Sequence, residues 1–150
     1  MSTLIPNNQI RMLTLGSPVV SKATGTLAAS TVALFTISGG LVVVTSLIGV
    51  VTTAITVANS YKLQSNPTTG TTTDICAATD LGTVDTPVGD MLTPAGASGI
   101  IRGGVASIDI GAAVVAPIGQ IEHVSTGTDG AITWYCTWYP YDGTGALVAA

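Results

Sequence analysis

Ala131-Ile132-Thr133-Trp134-Tyr135-Cys136-Thr137-Trp138-Tyr139 decides the fold, because two kinds of side chain alternate strictly along it. Successive side chains of an extended strand point to opposite faces. Ile132, Trp134, Cys136 and Trp138 therefore share one face, and Thr133, Tyr135, Thr137 and Tyr139 share the other. Ile and Cys are among the residues most often buried, so the first face is assigned to the core. Pro140 stops the strand, and Asp142-Gly143 turns the chain into a tail, Ala146 to Ala150. Ser125 to Gly130, just upstream, has the chemistry of a loop.

Working outward, the same strand character recurs between turns. Thr, Val and Ile make up more than a third of the chain. Their stiff, branched side chains suit pleated strands. Gly and Pro punctuate the sequence every ten residues or so, the rhythm of a sandwich or barrel. Val32 to Ser38 reads as a strand, and Gly39-Gly40 as a tight turn. Asn66-Pro67-Thr68-Thr69-Gly70 is a turn, Thr71 to Ala77 a strand, and Asp80 to Gly99 a loop-rich stretch. Strand character resumes at Ile100 to Ile110, Gly111 to Pro117 and Gly119 to Val124. The expected fold is all-β, a single β-sandwich or jelly-roll-like barrel over residues 31–150. Residues 1–30, broken by Pro6 and Pro18 and rich in small polar residues, read as an extended N-terminal arm.

Leu41 to Ala58 is apolar for almost the length of a membrane span. Thr45, Ser46, Thr52, Thr53 and Thr56 dilute it, and no basic or aromatic flank precedes it. A helical reading has some support, since those polar residues and Gly49 fall on one stripe. The density of Val, Ile and Thr favours two strands bent by a bulge at Gly49. No signal peptide is read at the N-terminus.

Charged residues are 8% of the chain, hydrophobic residues 47%, and mean hydropathy is +0.60. A dispersed monomer needs a better-charged surface. The composition therefore predicts a subunit whose neighbours cover much of it, with no membrane partner. Net charge is −4, and Arg11, Lys22, Lys62 and Arg102 are scattered singly. Nucleic-acid binding needs clustered cations, so no nucleic-acid partner is expected.

The residues point away from catalysis. His123 is the only histidine and sits in an alternating stretch, which reads as a strand residue. Cys76 and Cys136 lie at no metal-ligand spacing and read as two buried thiols, with a single disulfide as the alternative. Asp74, Asp80, Asp85 and Asp90 are spaced too widely for a calcium loop and fit turns. No phosphate loop or nucleophile elbow occurs. No enzyme activity, cofactor or metal is expected. Three of the four Tyr and both Trp fall between residues 134 and 141. Tyr135, Tyr139 and Tyr141 are the interface candidates, because tyrosine tolerates one wet and one dry end. A carbohydrate platform is the competing use of such rings.

Three stretches together carry a resemblance: Leu34 to Gly40 leading into Val44 to Ile55, the Asn66 to Gly70 turn, and Pro117 to Ile121 with Gly130 to Trp134 and Tyr139 to Asp142. This pattern resembles small structural proteins of tailed bacteriophages. Members of that group often carry a charge after the glycine of the second strand, where this chain has Val50. The resemblance implies a virion component, assembled in the host cytoplasm. Its expected role is a head decoration (cement) protein binding across major capsid protein subunits, as a homotrimer. A tail, neck or fibre subunit and a carbohydrate-binding β-sandwich module are the alternatives.

Overall fold

The computed structural model describes residues 17–96, 99–102 and 114–150. Two antiparallel sheets pack face to face as a β-sandwich. The first, sheet A, contains β1 (Ser17–Ala23), β3 (Val42–Thr53), β7 (Met91–Pro94), β8 (Ile100–Arg102), β9 (Val114–Ala116) and β11 (Ala131–Pro140). Its order is β1-β11-β3-β7-β8, with β9 also on β3. The second, sheet B, contains β2 (Ser30–Ser38), β4 (Ser60–Pro67), β5 (Thr73–Asp74), β6 (Thr79–Asp80), β10 (Gly119–Ser125) and β12 (Ala146–Ala149). Its order is β12-β2-β10-β4-β5, with β6 also on β4.

The decisive strand behaves as its alternation requires. Ile132, Trp134 and Cys136 are fully buried and Trp138 is 8% exposed. Trp134 reaches across the sandwich, and its Nε1 donates a 2.8 Å hydrogen bond to the Tyr61 hydroxyl of sheet B. The two rings lie nearly parallel, 8° apart, and Tyr61 stacks in turn on His123 at 5.4 Å. One column of three rings thus ties β11 to β4 and β10.

Several local expectations are corrected. Leu41 to Ala58 does not contain two strands bent at Gly49. β3 runs unbroken through Gly49, and the pairing irregularities with β11 fall elsewhere. Gly49 stands directly opposite Trp134. A Cβ there would lie 3.1 Å from the indole and 3.0 Å from Ile132 Cγ2. The glycine makes room for a ring. Gly49→Val is therefore expected to cost about 2–3 kcal/mol by overpacking, read from urea denaturation midpoints. No helix among the described residues is long and apolar enough to cross a membrane.

Gly39-Gly40 is not a hairpin turn: β2 and β3 belong to different sheets, so the pair carries the chain across the sandwich. Gly40 lies so close to the Asp142 carboxylate that a Cβ would collide with it. That carboxylate accepts from the Leu41, Thr144 and Gly145 amides at 2.9–3.1 Å. The strand expected over Thr71 to Ala77 shrinks to β5, and the loop-rich 80–99 stretch contains β7. The tail is a strand, β12, whose Leu147 is buried.

The N-terminal boundary also differs. Ser17–Ala23 pairs with β11, and Leu27 enters the core with its amide bonded to the Gly130 carbonyl at 2.9 Å. Residues 17–30 are part of the β domain because the Trp-bearing strand would otherwise be an edge. Lys22, opposite Trp134 on this edge strand, donates to the Ala150 carbonyl beside the edge of sheet B. A lysine there and Pro18 discourage strand addition from outside. Residues 1–16 of the arm expected over 1–30, and residues 103–110 of the strand expected over Ile100 to Ile110, lie outside the described residues.

Candidate interaction face

Sheet A has an outer face whose register follows from the ladder and which is partly open, Val43 at one end being buried at 3% exposure. Ser21, Tyr135 and Ile48 form one row across β1, β11 and β3. Ala23, Thr133, Val50 and Met91 form a second, reaching β7. Thr137 pairs with Ser46, and Tyr139 with Val43 and Val115. None of these side chains is charged. Tyr135 and Tyr139 are 41% and 42% exposed, and Val115 is 50% exposed. Tyr141 lies in the turn beyond β11 and is 62% exposed. The ladder therefore brings Tyr135 and Tyr139 onto one face, four residues apart, while Tyr141 stands off its end.

Sheet B turns a different surface outward. Lys62, Gln64 and Asn66 alternate on β4, and Lys62 pairs with Asp74 at 2.7 Å. Glu122 on β10 is buried beneath them, accepting from Gln64 Nε2 at 2.7 Å and Asn66 Nδ2 at 2.9 Å. Asn66 Oδ1 takes the Thr72 hydroxyl at 3.0 Å. A shallow cleft of about 260 Å³ beside this network is lined by Thr36, Asn66, Gln120 and neighbours. Of the described strands, sheet B carries Lys62, Asp74, Asp80 and Glu122 and sheet A carries Lys22 and Arg102, while the rows named on the outer face of sheet A hold no charged residue.

The residues weighed for chemistry serve the fold. His123 is buried with both ring nitrogens unpartnered among the described residues, and burial pushes its pKa down to about 4. Burial pushes the Cys136 thiol up to about 12 and raises Cys76. Both thiols are free, so the disulfide alternative is not formed. The Thr83 side chain, with the Gly82, Asn59 and Thr83 amides, bonds to Asp80 and holds its carboxyl far below the usual range. Asp129 accepts from the Thr56 and Val57 amides and is lowered likewise. These aspartates are loop clamps. The alternation of Lys62, Gln64 and Asn66 was the available signal for the polar face. For the aspartate clamps, the turn reading covered the local amides of Gly82 and Thr83, whereas the distant partners Asn59, Thr56 and Val57 had no signal in sequence.

No protein-family model, curated protein or solved structure matches this chain.

Proposed function

We propose that this chain is a non-catalytic structural subunit of a larger protein assembly, packed against its neighbours through the outer face of sheet A. The observation that carries this reading is the uncharged, tyrosine-bearing outer face of sheet A, set against an outer face of sheet B that carries the Lys62–Asp74 ion pair. Charged residues are depleted at interface centres and tyrosine is enriched there. A face of roughly 20 Å by 30 Å offers about 600 Å² before side-chain relief. That approaches the ~800 Å² per partner of a standard interface. Apolar area removed from water contributes about 25 cal/mol per Å², less the cost of association.

The setting comes from the sequence resemblance: a tailed-bacteriophage virion, with the chain as a head decoration protein on the major capsid protein. In that setting a trimer clamps adjacent capsid subunits, and weak contacts repeated over the lattice resist internal pressure. Tyr135→Asp with Tyr139→Asp is expected to leave the thermal midpoint within a few degrees of the parent. It should shift the light-scattering mass from oligomer to monomer. A parent chain that stays monomeric at high concentration, or a double variant that assembles like the parent, defeats the reading. Electron cryomicroscopy of particles carrying the chain tests the position.

A second reading is favoured by two half-exposed rings on one strand: stacking against a sugar chain. Saturable glycan binding abolished by Tyr135→Ala, in a chain that remains monomeric, would replace the assembly reading.

A further inference from the structure

We propose that the cleft on sheet B is a binding site for a neutral carbohydrate, with room for one sugar ring. The proposal goes beyond the assembly reading and stands apart from it, because the cleft lies on the opposite sheet from the tyrosine face. One row of the ladder builds the site. Thr36 on β2 stands opposite Gln120 on β10, which stands opposite Asn66 on β4. These side chains line a cleft of about 260 Å³ together with Pro67, Thr68 and Gly119. Among the described residues, no hydrogen bond takes up the Gln120 side-chain amide or the Thr36 hydroxyl.

Asn66 is held differently. Its Nδ2 donates to Glu122 at 2.9 Å, and its Oδ1 accepts from the Thr72 hydroxyl at 3.0 Å. Both ends of the amide are thereby assigned, and each keeps one unused hydrogen-bonding site. Glu122 is 7% exposed and joins no ion pair among the described residues. A buried carboxylate without a cation is costly to place. This one accepts from Gln64 and Asn66, and so fixes the direction of the amide at the edge of the cleft. A sugar ring carries adjacent hydroxyls, each both donor and acceptor, and an apolar C–H face. The row offers two amides and a hydroxyl side by side, one strand spacing of about 4.8 Å apart, and Pro67 offers an apolar wall. No cation lines the cleft to draw a phosphate or a carboxylate, and the Glu122 charge behind it opposes anions. The volume falls below the ~300–1,000 Å³ of sites for drug-sized ligands, which limits the occupant to one ring or the end of a chain.

Saturation-transfer NMR on the full chain tests this, with glucose, galactose, N-acetylglucosamine, maltotriose and chitotriose as probes and glycerol as the control. The expected result is saturable transfer to at least one sugar, with a dissociation constant in the millimolar range. Gln120→Ala and Thr36→Val should each weaken binding about 3- to 10-fold at an unchanged thermal midpoint, the loss of one hydrogen bond. Glu122→Gln leaves Gln64 and Asn66 facing an amide, and should weaken binding at least as much in chains whose circular dichroism matches the parent. Tyr135→Ala should bind as the parent does. No saturable transfer to any sugar overturns the proposal, as does equal transfer to glycerol, which marks an adventitious polyol only. Unchanged affinity in Gln120→Ala, Thr36→Val or Glu122→Gln overturns it too. Binding lost in Tyr135→Ala moves the sugar to sheet A and also overturns it.

Discussion

Trp134→Ala is expected to lower stability by about 3–5 kcal/mol and leave much of the chain unfolded, since a domain of this size has only about 5–15 kcal/mol in all. The indole is fully buried and faces Gly49, where no side chain can move in to fill the gap. Its loss also strips the Tyr61 hydroxyl of a 2.8 Å partner across the sandwich. A buried hydroxyl left unpaired costs about 1–3 kcal/mol. Trp134→Phe should sit between, keeping much of the ring and losing the hydrogen bond. Urea denaturation followed by circular dichroism measures all three. Tyr139→Ala, on the other face of the same strand, should stay close to the parent. Equal losses at 134 and 139 would mean that the two faces are not core and surface.

Acid should unfold the protein in two stages, the first governed by His123. Its ring lies neutral in the core against Tyr61, and burial lowers its pKa from 6.5 to about 4. The unfolded chain binds a proton as pH falls through 6.5, and the folded chain does not until about 4. Stability therefore declines across that window and levels off below it, by at most about 3 kcal/mol. His123→Phe keeps a ring on Tyr61 and should flatten the profile between pH 6.5 and 4. The second stage belongs to the aspartate clamps. Backbone amides hold Asp142 down to about 2, and Asp80 and Asp129 are also lowered. Their contribution is present above the ordinary aspartate pKa and disappears as pH falls through the folded values. Denaturant midpoints from pH 8 to 2 test both stages. A parent midpoint that is flat between pH 7 and 4.5 would remove His123 from the account.

Most of the sheet content could be read from local pattern. Strict alternation in 131–139 assigned the Trp face inward, because burying one set of side chains leaves the opposite set outside. The density of Val, Ile and Thr in 41–58 identified a strand over a helix, and β3 is one. Short pieces were harder. β5 and β6 have two residues each, held by their neighbours on β4 and not by any period of their own.

The sequence by itself determined an all-β chain, a two-faced final strand, and a composition poor in charge. These follow from side-chain type and spacing, which act within a few residues. Tertiary structure alone decided which sheet each strand joins, that Gly39-Gly40 crosses between sheets, and that Gly49 is a seat for Trp134 and not a bend. It also recruited Ser17–Ala23, a stretch with weak strand character, because the Trp-bearing strand offers unpaired backbone groups that any neighbour can satisfy. The neutral face is a product of both levels. Single residues spread over five strands carry no signature in sequence, and only the register of the ladder sets Tyr135 beside Ile48 and Tyr139 beside Val43 and Val115.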